Sequence, residues 1–151
     1  MDIIKATSQQ RDEIIDLLQK ENLPAEDLPL DLSNFFTAIE ENTIIGLIGL
    51  EPYGENGLLR SMVVSPNYRN QQIAERLVKM LEEQAIISGI NTIYLLTETA
   101  DKYFSRKGYK TIAREEVPTE LKASSEFSHV CPVSAIVMKK ELAEQAVTID
   151  L

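Results

Sequence analysis

Leu58 to Gly89 reads LLRSMVVSPNYRNQQIAERLVKMLEEQAIISG, and its two halves follow different periods. Leu58–Val64 is an apolar, β-branched run, the pattern of a buried strand. Ser65-Pro66-Asn67 ends it, because proline supplies no N–H to a central ladder. From about Gln71, apolar residues recur at Ile73, Leu77, Met80, Leu81, Ala85 and Ile86, which predicts a helix with one buried face and a stop at Gly89. A strand feeding a helix through Tyr68-Arg69-Asn70-Gln71-Gln72 leaves unpaired backbone N–H groups at a positive helix end. With Arg69 beside them, that end suits a phosphate or pyrophosphate. An ordinary strand–helix connection in an α/β domain has the same local pattern.

Upstream, Ile3–Ala6 predicts a short strand, and Thr7-Ser8-Gln9-Gln10 is a capping-box pattern opening a helix that buries Ile14, Ile15, Leu17 and Leu18. Pro24 and Pro29 mark residues 22–33 as a loop, with room for one turn at Ala25-Glu26-Asp27. Phe35–Leu50 predicts two strands around a tight turn at Glu40-Glu41-Asn42, the second strand buried on both faces. Pro52–Gly57 predicts a turn. Downstream, Thr92–Thr97 predicts a buried strand parallel to Leu58–Val64, since a long helix joins the two. A short helix over Glu98–Lys107, capped by Thr97 or Thr99, stops at Gly108, and Tyr109–Ile112 begins another strand. A short helix near Thr119–Ala123 and a closing strand at Ser134–Lys139 follow, with 141–151 expected as a C-terminal tail beyond a single domain over 1–140.

The 151 residues suffice for one good core, and 44% hydrophobic with 26% charged residues is ordinary for a soluble globular protein. No apolar run reaches the length of a membrane span, and MDIIKATSQQ lacks signal-peptide character, so a cytoplasmic location is expected. One cysteine excludes an internal disulfide, and a lone cysteine with a lone histidine argues against a structural zinc site. The net charge of −9 argues against nucleic acid as a partner.

Val64-Ser65-Pro66-Asn67-Tyr68-Arg69-Asn70-Gln71-Gln72-Ile73-Ala74 resembles the acyl-CoA loop of the GNAT N-acetyltransferase superfamily, in which V-x-P-x-Y-R runs into [RQ]-x-x-G-x-[GA]. Gln72 stands where that pattern has glycine, and a side chain there crowds the approach of backbone to pyrophosphate. Thr97–Tyr109, TETADKYFSRKGY, resembles the family's N-x-x-A-x-x-L-Y-x-x-x-G-F. Ala100 and Gly108 match, Thr97 replaces the asparagine, and Phe104 replaces the tyrosine that in many members protonates the leaving thiolate. Tyr103 is adjacent, but one helical step turns its side chain by about 100°. The longer string LLRSMVV … YLLTETADKYFSRKGY is similar to two amino-acid-directed branches, the acetyltransferase domain of N-acetylglutamate synthases and the arsenic-operon N-acetyltransferases. Ser125–Ala135, SEFSHVCPVSA, is most like the second.

The resemblance implies a single α/β (α+β) GNAT-like domain, with a mixed, mostly antiparallel, splayed sheet flanked by helices. It implies acetyl-CoA as co-substrate and no metal, held by Met62, Val63, Val64, Arg69, Asn70, Gln71, Gln72, Ile73, Ala74 and Tyr103. The acceptor is expected to be a small-molecule amine or amino acid, with Arg60, Thr97, Phe127, His129 and Cys131 lining its side; no membrane is a partner, and a homodimer is left open. Glu98, Tyr103 and Glu126 are the candidate catalytic groups. Leu58–Val64 contains no carboxylate, so a base for the acceptor amine comes from Glu51, Glu98, Glu126 or His129, among which the sequence does not choose. Arg60, inside an apolar strand, needs a carboxylate or phosphate if buried: an α-carboxylate of the acceptor, met by the planar guanidinium fork, or an internal partner at Glu51 or Glu98; the alternative is a place on the solvent face. Cys131, two residues from His129, is a nucleophile only if the two converge with an activated thiolate; a pocket-lining thiol is the alternative. A non-catalytic acyl-CoA-binding or regulatory domain is the rival reading, and Gln72 and Phe104 are what favour it.

Overall fold

The chain forms β1 (Asp2–Lys5), α1 (Arg11–Lys20), β2 (Phe35–Glu40), β3 (Thr43–Tyr53), β4 (Asn56–Val64), α2 (Ile73–Ile87), β5 (Thr92–Thr97), α3 (Asp101–Arg106), β6 (Lys110–Ile112), α4 (Thr119–Lys122) and β7 (Ile136–Glu141). The computed structural model describes residues 1–69, 71–124 and 135–142, and among these the strands make one mixed, mostly antiparallel sheet in the order β1-β2-β3-β4-β5-β7-β6. Two compact units are distinguishable, Met1–Leu50 with Ser61–Gln84, and Glu51–Arg60 with Ala85–Leu151.

In the first unit, β1 and β3 flank β2, both antiparallel to it. The β2–β3 hairpin closes through Glu41 (φ 49°) and Asn42 (φ 64°), two left-handed residues whose twist suits a two-residue hairpin loop. The entry to α1 has the expected capping box between Thr7 and Gln10, with the Thr7 N–H donating to Gln10 Oε1 at 3.0 Å, and a 3-10 turn over Ser8–Gln10 precedes the α-helix. Ile14, Leu17 and Leu18 are buried against Phe35, Leu47 and Val63. The Ile44 N–H donates to Glu13 Oε2 at 2.8 Å, so α1 is also bonded to β3. Arg11 donates to the carbonyls of Leu28 (2.9 Å) and Pro29 (2.7 Å), which pins the 22–33 loop, and that loop contains the expected single turn, with the Leu28 N–H on Ala25 O. Helix α2 lies close over β3 at Gly46, where an added Cβ would stand 3.1 Å from Leu77 and 3.3 Å from Ile73.

In the second unit, β4 pairs parallel with β5 from Asn56↔Thr92 to Leu58↔Tyr94, as the long connecting helix requires. β7 runs antiparallel to β5 from Thr92↔Glu141 to Thr97↔Ile136 and takes β6 on its other side. Leu58, Tyr94, Val117, Leu121 and Val137 form the core of this unit. The Asn91 backbone joins two elements, its N–H on Glu55 O and its carbonyl taking the Leu142 N–H, both at 2.7 Å.

Several boundaries differ from the sequence expectation. β3 continues through Pro52 and Tyr53, and the predicted turn shrinks to Gly54 (φ 65°) and Glu55. α3 begins at Asp101 rather than near Glu98, because the Thr97 hydroxyl accepts the Ala100 N–H at 2.9 Å and holds the intervening residues as a turn. β7 includes Glu141, Leu142 is buried, and 143–151 lies outside the described residues. Among the described residues no helix is long and apolar enough to cross a membrane.

Candidate active site

The β4–α2 connection is built from its ends inward. The Ser65 N–H donates to Ile45 O at 2.8 Å, which fixes the exit of β4 against β3. Pro66–Tyr68 forms a 3-10 turn, with proline at its start where no N–H is needed. Arg69, more than half exposed, donates from Nε to Val64 O (3.2 Å) and from Nη2 to Glu21 Oε1 (2.8 Å), so its guanidinium ties the loop to the end of α1. Gln71 and Gln72 are exposed, Ile73 is buried and Ala74 half-buried; Asn70 lies outside the described residues. Met62 and Val64 are half-buried on β4 and Val63 is buried.

Gln72 has φ 62°, and its carbonyl accepts the Arg76 N–H at 3.1 Å, the first bond of α2. The left-handed conformation that glycine takes without penalty is therefore kept by a residue that is penalised for it. Gln72→Gly is expected to relieve about 1–2 kcal/mol of left-handed strain against about 0.4–1 kcal/mol of added unfolded-state entropy. Urea denaturation should show a protein as stable as the parent or up to about 1 kcal/mol more stable, and calorimetry should show acetyl-CoA affinity kept or tightened. A destabilised variant would mean that the Gln72 side chain itself holds the loop.

In the second unit a chain of polar side chains crosses the interior. Arg60, whose side chain is 1% exposed, donates from Nη1 to Glu51 Oε2. Tyr53 donates its hydroxyl to the other carboxylate oxygen, Oε1, at 2.6 Å, and itself hydrogen-bonds with Ser124, which is buried. Burial first, then the Glu51 carboxylate, pushes the Tyr53 phenol far above its ordinary value, so it remains a donor. Of the two partners that the sequence offered Arg60 inside the chain, the structure pairs it with Glu51. The next residue, Ser61, has φ 58° in mid-strand, a local break in alternation that sequence reading missed.

Helix α3 holds the aromatic pair. Phe104 is buried, edge-on to Tyr103 and to Tyr109 with ring centroids 5.3 Å apart in each case. Tyr103 is half-buried with its hydroxyl inside and Lys107 Nζ 5.5 Å from its ring centre, which matches the quarter-turn separation of the two side chains. Thr97 is engaged as the cap described above, and Glu98 is exposed. Glu126, Phe127, His129 and Cys131 lie outside the described residues.

Comparison with known proteins decides the family. The model of the acetyltransferase (GNAT) domain matches residues 31–111. The chain belongs to the GNAT acetyltransferase family. Amino-acid acetyltransferase of Escherichia coli (strain K12) is 26% identical over 99 residues, 64% of this chain and 22% of the relative. The match therefore spans about a fifth of the length of such relatives. N-acetylglutamate synthase from Neisseria gonorrhoeae, solved with coenzyme A and N-acetyl-glutamate, superposes with a TM-score of 0.81 at 19% identity, over 93% of this chain and 35% of that one. Rv2747 from Mycobacterium tuberculosis, solved in complex with CoA, gives 0.79 at 19% identity, over 93% of this chain and 99% of that one. At such identities the likeness concerns the fold, a single GNAT-like α+β domain.

Within this GNAT domain Gln72, the departure from the family's letters, has a left-handed backbone. Tyr53 and Ser124 were not singled out from sequence. Tyr53 fell in a stretch that read as a turn, and the available signal was the alternation Glu51-x-Tyr53 continuing from the buried run Ile44–Leu50.

Proposed function

We propose that this GNAT chain is an acetyl-CoA-dependent N-acetyltransferase that acts on the amine of a small amino-acid-like substrate in a ternary complex. The observation that carries the reading is the left-handed Gln72 at the start of the 15-residue helix α2, which preserves a backbone path suited to pyrophosphate at a positive helix end. The amino-acid class is supported by the amino-acid acetyltransferase relatives and by the ligands of the solved synthase. The narrower likeness to the arsenic-operon branch rests on Ser125–Ala135, of which only Ala135 is described.

In this reading a base takes a proton from the acceptor amine, its nitrogen attacks the acetyl carbonyl, the C–N bond forms, and the C–S bond breaks with the pair going to sulfur. Backbone N–H groups near Met62 and Val64 polarise the carbonyl, and holding both substrates together contributes most of the rate. Phe104, packed between two tyrosine rings, offers no proton to the thiolate, so that proton comes from another donor.

Calorimetry with acetyl-CoA and with CoA, followed by thiol release over a panel of amines, tests the proposal. Expected are saturable binding of both and acetyl-dependent thiol release with at least one amino-acid-like amine. Phe104 also favours a second reading, a non-catalytic acyl-CoA-binding or regulatory domain. Binding without thiol release on any amine would establish that reading instead.

A further inference from the structure

Helix α1 ends on a carboxylate. Glu21 caps it, with its N–H on the carbonyls of Leu17 and Leu18 at 3.3 and 3.2 Å. A helix C-terminus carries negative partial charge, so an acidic side chain there is badly placed and calls for a cation. Lys20 does not supply one, since it pairs with Asp16 at 2.9 Å. Arg69 does, from 48 residues along the chain, with Nη2 2.8 Å from Glu21 Oε1. Both residues belong to the first unit. The Glu21 side chain is 19% exposed and that of Arg69 is 55% exposed, so the cation is the part of the pair that a ligand can reach. Arg69 also stands three residues before Gln72, whose carbonyl takes the first bond of α2. A phosphate at that helix end and the carboxylate at the end of α1 therefore call on the same guanidinium, whose planar fork fits either.

We propose that Glu21 is a built-in competitor of the coenzyme, a carboxylate that holds Arg69 until a phosphate group of acetyl-CoA takes it over. The inference rests on the acetyl-CoA-binding part of the proposed function and deepens it by naming a residue that sets the affinity. Glu21 is a positioning residue: it touches no substrate and acts on the coenzyme through Arg69. While the pair is closed, Arg69 presents no net charge to a polyanion. When the pair opens, Glu21 is left without its cation at the negative end of α1, and that penalty weakens binding. Removing the carboxylate removes both effects.

Calorimetry with acetyl-CoA on the wild type, Glu21→Gln, Arg69→Gln and the double variant tests this. Glutamine keeps the size of Glu21 and an acceptor for Arg69 but carries no charge. Glu21→Gln is expected to bind acetyl-CoA about 3- to 10-fold more tightly. The gain should shrink towards ~1 M salt, where the Debye length falls to about 3 Å. Arg69→Gln leaves Glu21 uncompensated and should weaken binding about 10-fold or more, and the double variant should recover most of that loss. A merely structural pair predicts instead that Glu21→Gln lowers the melting temperature and leaves affinity unchanged or weaker. If Glu21→Gln fails to fold, the wild type decides through the Arg69 Nε–H resonance, assigned by its absence from Arg69→Lys. It should shift on titration with CoA as the guanidinium changes partner, and an unmoved resonance in the bound protein overturns the inference. Unchanged or weaker binding by a folded Glu21→Gln, or a double variant no better than Arg69→Gln, also overturns it and leaves the coenzyme site standing. A wild type that binds neither acetyl-CoA nor CoA overturns both.

Discussion

Glu51→Leu is expected to cost about 3–5 kcal/mol of stability, because it leaves the Arg60 guanidinium buried and uncompensated. The reverse change, Arg60→Leu, should cost less, about 1–3 kcal/mol: the carboxylate it strands is 21% exposed and keeps the Tyr53 hydroxyl as a donor. The paired replacement Arg60→Leu with Glu51→Leu should recover most of the loss, since a buried ion pair replaced by packed apolar residues is often close to neutral. Urea denaturation of the parent, both single variants and the double variant gives the four corners of a cycle. Equal costs for the two single variants, or a double variant no better than the worse single one, would show that desolvation of Arg60 does not dominate this pair.

Gly49→Ala is the second substitution with a large expected effect, and its sign is diagnostic. In a strand interior alanine is ordinarily more stable than glycine by about 0.5–1 kcal/mol. Here the added Cβ would lie 2.4 Å from the ring of Phe35, the residue directly opposite in the β2–β3 register. Phe35 is 1% exposed and belongs to the core of the first unit. Overpacking of this kind costs about 1–3 kcal/mol, so the net change should be a loss of about that size. Adding Phe35→Leu should restore part of it. A stabilised Gly49→Ala protein would mean that the ring yields without strain.

Most of the architecture was legible from periodicity and punctuation. The β2–β3 hairpin declared itself through Glu41-Asn42, the parallel β4–β5 pair through the long helix between them, and the end of α2 through Gly89, which has φ 84°. What sequence could not supply were contacts between residues that are distant or whose local signal pointed elsewhere. Pro52 and Gly54 announced a turn, yet Pro52 is an exposed residue of β3, where the missing N–H is tolerated and the strand continues to Tyr53. The start of α3 was misplaced because a threonine hydroxyl, competing for a backbone N–H, postpones the helix. In the site, Arg60 was visible as an arginine among apolar neighbours, but the choice of Glu51 as its partner depends on the pairing of two strands. Arg69 was legible as a cation at the loop, whereas its attachment to Glu21, 48 residues earlier, was not.

The left-handed Gln72 separates two things that a motif normally writes as one letter. Its backbone angle is imposed by the exit of β4 and the first bond of α2, while the side chain is a free variable mounted on that angle. A position of this kind works as a dial. Glycine sets the nearest approach to a ligand, and each larger residue backs the ligand off by a small step while the surrounding chain stays in place. Under the proposed acetyl-transfer function, coenzyme affinity would then drift by single substitutions at one residue, through a graded series of proteins that share a fold and differ in grip.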